Sequence, residues 1–332
     1  MTTHFPSFHQ MEKKNPSLVL LDAATLDCGD LDWRSLERLG KLERHPVTSA
    51  AETAGRVREV DIVLSNKVVL DDAIMAGASR LRAIVVCATG VNDVDLAAAK
   101  RRGIVVMNVA GYGSDSVAQH AMAMILNWAT QMHRYAAEPR RWCESPMYTR
   151  LDYPVFELAG KSLGLAGAGR IGGKVGTLAE AFGMEVRAWA RDGGAAGKGR
   201  WPRLALRELL AASDVVSLHC PLTPETRHLI NRESLSWMKP GALLVNTGRG
   251  DLIDEPALKE ALVSGRLGGA ALDVLSVEPP LPDHLLLDPA IPNLLITPHS
   301  AWTAREARQR LLDEAAANIA AFLKGEDRNR VA

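Results

Sequence analysis

The sequence predicts an α/β protein built as two doubly wound parallel sheets. Three observations predict it. Short apolar runs alternate with longer helical patterns from Ser17 onward, the alternation breaks at an irregular stretch from Pro139 to Pro154 and then restarts, and a glycine-rich turn links the first strand of the second series to its helix. The 332 residues are enough for two compact domains.

In the first series, Ser17 to Leu21, Asp61 to Leu64, Ala83 to Cys87 and Gly103 to Met107 read as buried strands, because each is a short apolar run without polar alternation. Val94 to Arg102 reads as a helix between the last two. Gly111-Tyr-Gly-Ser-Asp115 then opens a long apolar helix over about Ser116 to Tyr135, with Ser114 or Asp115 available as its N-cap. The second series has strands at Ser162 to Ala166, Glu185 to Trp189, Asp214 to Leu218, Ala242 to Val245, Gly269 to Leu272 and Asn293 to Thr297. A last helix, about Ala304 to Leu323, has enough apolar positions to pack on something and is expected to return to the first domain. Residues 1–112 and 301–332 then form one discontinuous domain and residues 113–300 the other. Met1 to Pro16 is polar and mixed, without a signal pattern, and reads as a loose extension.

Composition excludes several classes of function. Lys plus Arg (39) equal Asp plus Glu (39), so the chain lacks the broad basic field that nucleic acid or an anionic membrane selects. No apolar run approaches the length of a membrane span. The four cysteines (Cys28, Cys87, Cys143, Cys220) form no CxxC pair, and no His/Asp/Glu cluster has ligand spacing, so neither a disulfide framework nor a metal site is expected. The setting reads as reducing and cytoplasmic.

Gly167-Ala-Gly-Arg-Ile-Gly172 matches GxGxxG, and its context gives the match its weight: a buried strand precedes it and a helix follows. There Gly167 permits the tight turn, Gly169 lets backbone N–H groups approach a pyrophosphate, and Gly172 lets the helix lie close to the strand. At the end of the next strand, where NAD enzymes carry a ribose-binding carboxylate, the sequence reads Trp189-Ala190-Arg191-Asp192. Ala190 removes a repulsion against a 2′-phosphate and Arg191 is placed to pair with one, with Lys198 and Arg200 adding positive charge. The reading is NAD(P)H, with NADP(H) favoured; Asp192, two residues on, leaves NAD(H) open.

Three further segments follow strand ends of the second series: Asn246-Thr-Gly-Arg-Gly250, Asp273-Val-Leu-Ser-Val-Glu-Pro279 and Thr297-Pro-His-Ser300. With the glycine-rich turn before them, they resemble the signature of the D-isomer-specific 2-hydroxyacid dehydrogenases over nearly the whole chain from about Asp61 to Leu323. Ala88-Thr-Gly-Val-Asn-Asp-Val-Asp95, Val117-Ala-Gln-His120 and Leu218-His-Cys-Pro-Leu-Thr-Pro-Glu-Thr226 are similar to the glycerate dehydrogenase and hydroxypyruvate (glyoxylate) reductase branch.

The resemblance implies two Rossmann-like domains, the first flavodoxin-like, with an active-site cleft between them, and hydride transfer between NAD(P)H and C2 of a small 2-keto acid. His299 would be the proton donor, which suits a group that titrates near about 6.5. Glu278 would hydrogen-bond His299, and Arg249 would hold the substrate carboxylate with its forked donors. Backbone N–H groups around Gly90 and Val91 would grip the same carboxylate. Asp273 would orient the nicotinamide carboxamide, Pro221 and Thr226 would line the adenosine pocket, and Arg170, Ile171, Cys220 and Thr247 would complete the cofactor site. Asn66 and Lys67 would meet the distal end of the substrate. The family uses the region near residues 114–154 as a two-fold dimerisation arm, so a homodimer is expected. Departures from the family pattern are Ala190, Gly248 and Gln119. A related dehydrogenase of another substrate, or a dinucleotide-sensing corepressor-like protein, remains the alternative.

Overall fold

The computed structural model describes residues 15–191 and 199–332. They divide into two compact units, the first running to Gly113 and resuming at Thr303–Ala332, the second comprising Ser114–Trp302.

The first unit holds a five-stranded sheet of β1 (Ser17–Leu20), β2 (Lys41–Arg44), β3 (Ile62–Ser65), β4 (Ala83–Val86) and β5 (Val105–Asn108). All pairings are parallel and the order is β2-β1-β3-β4-β5, the flavodoxin-like order. β3 and β4 are buried at every position, which is why they read as unbroken apolar runs: helices cover both faces of a parallel sheet. β2 escapes sequence reading for the opposite reason. It is an edge strand of sequence KLER and mostly exposed, and charged edges of this kind resist pairing with another chain. The Leu96–Arg101 helix begins one residue after its N-cap Asp95, whose carboxylate accepts the Ala98 N–H at 2.8 Å. The Arg305–Leu323 helix belongs to this unit. Its Arg308 makes two bonds of 2.8 and 2.7 Å to Asp30, and its fully buried Asn318 donates to the Asn108 carbonyl at the end of β5.

The second unit holds β6 (Ser162–Ala166), β7 (Glu185–Trp189), β8 (Arg203–Leu204), β9 (Val215–Leu218), β10 (Leu243–Asn246), β11 (Gly269–Leu272) and β12 (Leu294–Ile296). These form one parallel sheet in the order β12-β11-β10-β9-β6-β7-β8. Winding reverses between β6 and β9, and such a reversal is where open α/β sheets bind ligands. β8, two residues at the edge, leaves no periodic signal. Fully buried side chains such as Leu163, Leu165, Val216 and Leu244 form the core beneath this edge, each worth about 1.5–3 kcal/mol of apolar burial.

Two expectations about the long helix fail. It starts at Ser114, so neither Ser114 nor Asp115 is its cap, and it ends at Thr130 rather than near Tyr135. Gln131 breaks it with a φ of +51°, and a second helix runs from Met132 to Ala137. The break is satisfied locally: the buried Gln131 side chain donates to the Trp128 carbonyl at 2.7 Å and Asn127 accepts the His133 N–H at 3.1 Å. Apolar periodicity continues across the break and hides it.

Candidate functional site

The second unit places the functional segments in a row at the C-terminal ends of β6, β9, β10, β11 and β12. After β6, Gly167 has a φ of +108°, and a Cβ there would lie 2.6 Å from both the His219 carbonyl carbon and the Cys220 nitrogen. Glycine therefore lets the β6 turn pack on the backbone that follows β9. At Gly172 a Cβ would meet the Gly167 carbonyl oxygen at 2.0 Å, so this glycine seats the Arg170–Ala181 helix under the turn. Gly169 is that helix's N-cap, with no side-chain cap, and a Cβ there would project into open space. The positive end of the helix dipole thus lies at this turn, where no side chain of Gly169 caps it. Arg170 is exposed and Ile171 half-buried beside it.

The loop after β9 is folded by its own side chains. Thr226 is fully buried; its Oγ donates to the Pro221 carbonyl at 2.7 Å and accepts the Thr223 N–H at 2.8 Å. Its hydroxyl shapes the loop around Cys220 and Pro221. Burial raises the Cys220 thiol pKa and lowers the neighbouring His219 imidazole to about 4, with Nε2 2.9 Å from the Ser217 hydroxyl. After β7, Ala190 is buried and Arg191 lies half-exposed, 3.5 Å from Glu225. Asp192 and Lys198 lie outside the described residues.

After β10, Asn246 folds the turn by accepting the Gly248 N–H at 3.0 Å and donating to the Arg249 carbonyl at 2.8 Å. Thr247 Oγ1 is buried with no hydrogen-bond partner among the described residues. An orphaned hydroxyl at this sheet end, together with the open helix N-terminus at Gly169, fits a polar ligand carrying phosphate groups. The Arg249 guanidinium donates to the Gly248 carbonyl at 2.7 Å and pairs with no carboxylate among the described residues. Asp251, the nearest candidate in sequence, is taken by Arg227 at 2.9 Å.

After β11 and β12 come the titratable groups. Asp273 is 1 % exposed. One oxygen accepts the Thr297 hydroxyl at 2.5 Å and the Ser300 N–H at 2.9 Å; the other accepts the Ala301 N–H at 2.9 Å. Its backbone carbonyl accepts the His299 N–H at 2.8 Å. These bonds hold His299 at a φ of +51°, a left-handed conformation that non-glycine residues adopt only when their surroundings impose it. His299 Nδ1 lies 2.6 Å from Glu278 Oε2, and Glu278 Oε1 accepts the Leu275 N–H at 3.0 Å. The imidazole is 27 % exposed. His120 also reaches this corner, with Nε2 3.1 Å from the Thr297 hydroxyl and 3.5 Å from Asp273.

In the first unit, Asn66 and Lys67 follow β3. Both backbone N–H groups point at one buried carboxylate, Asp22, at 2.9 and 2.7 Å. Burial raises the Asp22 pKa, against the lowering effect of these bonds. Asn66 is itself 3 % exposed and its amide donates to the Thr25 hydroxyl at 3.0 Å, whereas Lys67 is exposed. After β4, the N–H groups of Gly90 and Val91 meet no acceptor among the described residues, and Asn108 steadies the loop by donating to the Thr89 carbonyl at 2.7 Å.

Among the described residues there is no cluster of metal-ligating side chains and no helix long and apolar enough to cross a membrane. Sequence reading missed Asp22, Glu255, Ser276 and His284, all tied to the loops above. Each is an ordinary polar residue in the sequence; burial distinguishes Asp22 and Glu255, and only their contacts with Glu255 distinguish Ser276 and His284.

Known proteins with this arrangement give it a context. Residues 122–301 match the family described as D-isomer specific 2-hydroxyacid dehydrogenase, NAD binding domain. A hydroxypyruvate reductase of Blautia hydrogenotrophica is 40 % identical over 320 residues, 95 % of this chain and 99 % of that one. A glycerate dehydrogenase of Methylorubrum extorquens is 39 % identical, covering 95 % and 98 %. The crystal structure of the TT0316 protein from Thermus thermophilus superposes with a TM-score of 0.85 at 39 % identity, over 95 % of this chain and 99 % of that one.

Proposed function

The chain belongs to the D-isomer-specific 2-hydroxyacid dehydrogenase family, and on that premise we propose that it reduces hydroxypyruvate to D-glycerate and glyoxylate to glycolate. It is an oxidoreductase of small 2-keto and 2-hydroxy acids that uses a nicotinamide dinucleotide. The names of its relatives support the choice of substrate, and the His299–Glu278 pair is the observation that carries the chemistry.

The reduced nicotinamide, when bound, supplies the hydride that C2 of the keto acid accepts. The C2 oxygen then needs a proton. His299 has one ring nitrogen committed to Glu278 at 2.6 Å, so Nε2 is the nitrogen that delivers it. Glu278 fixes the ring, because its other oxygen is anchored on the Leu275 N–H. Arg249, with no protein carboxylate of its own among the described residues, binds the substrate carboxylate through its forked donors, and the N–H groups of Gly90 and Val91 bind it as well. Gly167, Gly169, Arg170, Ile171 and Gly172 hold the pyrophosphate at the helix N-terminus; Thr247 and Asp273 serve the nicotinamide end, Cys220, Pro221 and Thr226 the adenosine end. Lys67, exposed beside the tethered Asn66, meets the distal end of the substrate, and Asn66 acts mainly by holding that loop.

NADP(H) is the preferred cofactor in this reading, because Ala190 sets no carboxylate against a 2′-phosphate and the half-exposed Arg191 makes a long 3.5 Å contact to Glu225, its one ion pair among the described residues. The test is initial-rate reduction of hydroxypyruvate and glyoxylate with NADPH and NADH in parallel. His299→Ala should lower kcat by about 10²–10⁴-fold, and Arg191→Ala should lower the NADPH/NADH ratio. Full turnover by His299→Ala, or no turnover of either acid by the native protein, rejects the reading.

We also propose a homodimer formed through the region near residues 114–154, where Trp142, Met147, Tyr148 (91 % exposed) and Leu151 leave apolar surface uncovered. Light scattering at micromolar concentration should give the mass of two chains; the mass of one rejects it.

A further inference from the structure

Glu255 is the first residue of the Glu255–Val263 helix. An acidic residue in a helix's first turn ordinarily faces solvent, where it complements the positive end of the dipole. Capping here is already supplied by Asp254, which accepts the Ala257 N–H at 3.1 Å. Glu255 is nonetheless 6 % exposed. Its Oε1 accepts the Ser276 N–H at 2.8 Å, its Oε2 accepts the Ser276 hydroxyl at 2.7 Å, and His284 Nε2 lies 3.2 Å from the same oxygen. His284 Nδ1 accepts the Leu286 N–H at 3.3 Å, which turns the Nε2 edge of the ring toward Glu255. A buried carboxylate is tolerated only with donors of this kind around it.

What Glu255 grips is the peptide that orients Glu278. Ser276 precedes Glu278 by two residues, and the adjacent Leu275 N–H holds the Glu278 carboxylate that meets His299. The same peptide presses on Gly250, next to Arg249: a Cβ at Gly250 would lie 1.9 Å from the Leu275 carbonyl carbon and 2.2 Å from the Ser276 nitrogen. One contact, Glu255 on Ser276, thus fastens the segment that bears Glu278 to the segment that bears Arg249.

We infer that Glu255, backed by His284, is a positioning residue for proton transfer, holding the Leu275–Ser276 peptide so that Glu278 stays on His299 Nδ1. This rests on the roles proposed above for Glu278 and His299. Glu255 itself exchanges no proton in the reaction.

The experiment uses the full chain with Glu255→Ala, Glu255→Gln, Glu278→Gln, the Glu255→Ala/Glu278→Gln double variant and His299→Ala. Glu255→Ala should lower kcat by about ten- to thirtyfold, the scale of a displaced catalytic group, with the NADPH and NADH dissociation constants by nucleotide fluorescence unchanged. Glu255→Gln keeps the bond to the Ser276 N–H and should lose only about threefold. In the Glu278→Gln background, Glu255→Ala should cost less than about twofold, because the group it positions is already unpaired.

A readout independent of turnover is the low-field proton signal of His299 Nδ1–H in the ligand-free protein, assigned by its absence in His299→Ala. It should vanish in Glu278→Gln and Glu255→Ala and persist in Glu255→Gln. A full loss repeated in the Glu278→Gln background, with the His299 signal intact in Glu255→Ala, overturns the inference. Should Glu255→Ala fail to fold, Ser276→Ala takes its place: a kcat loss of about threefold with a shifted His299 signal is expected, and native kcat with an unshifted signal overturns the inference. Full turnover in both Glu278→Gln and His299→Ala would instead sink the functional reading, while the signal still reports whether Glu255 sets the Glu278–His299 contact.

Discussion

The sheet ends of the two units solve one problem in two ways. In the first unit the buried Asp22 holds the backbone of Asn66 and Lys67, and the Asn66 side chain is buried with it. In the second unit the buried Asp273 holds the backbone of Ser300 and Ala301, but the residue between the strand and those bonds, His299, keeps its side chain partly exposed and engaged with a second carboxylate. A buried carboxylate on consecutive N–H groups fixes a loop in both cases. The difference lies in what the loop presents. The first unit offers backbone and shape, and the second offers a titratable ring in a strained conformation.

This contrast predicts unequal kinetic consequences for the same chemical change. Asp273→Asn should lower kcat by about a hundredfold, because a misplaced His299 fails at the proton-transfer step. Asp22→Asn should raise the KM for the keto acid about tenfold and leave kcat within about threefold, because it loosens a binding surface only. Equal losses of kcat in the two variants would break the comparison.

A smaller effect concerns His219, a histidine beside the same row of strand ends. Burial depresses the His219 pKa to about 4 in the folded chain, against about 6.5 in an unfolded one. Between those values the unfolded state binds more protons, so stability rises with pH; the contribution is complete above about pH 6.5 and falls away as pH drops towards about 4. His219→Gln should therefore flatten the fall in melting temperature between pH 7 and pH 5 by the equivalent of about 1–2 kcal/mol. An unchanged slope would show that His219 titrates normally.

Much of this was legible in the sequence because it depends on short-range pattern. Runs buried on both faces announced β3, β4, β6, β9, β10 and β11, and the glycines at 167 and 172 announced a turn in which any side chain collides with backbone. The resemblance to the family, carried by motifs just past the strands, supplied Arg249, Glu278 and His299 as the candidate reacting groups. The edge strands β2 and β8 were not legible, since an edge buries too little to impose a pattern. Nor was the helix break at Gln131, where apolar spacing runs on through a single left-handed residue.

The sequence by itself determined the fold class and the nucleotide-binding turn, because periodicity and glycine placement are local properties of a chain; the candidate reacting residues came from the family resemblance that its motifs carry. The tertiary structure alone decided which polar residues support them. Asp22, Asp273 and Glu255 lie 44, 27 and 21 residues from N–H groups they hold, and three acidic residues among 39 carry no mark of burial in the sequence. Burial is a property of what packs around a carboxylate, and it is burial that turns an ordinary Asp or Glu into the fixed acceptor on which a candidate-site loop hangs.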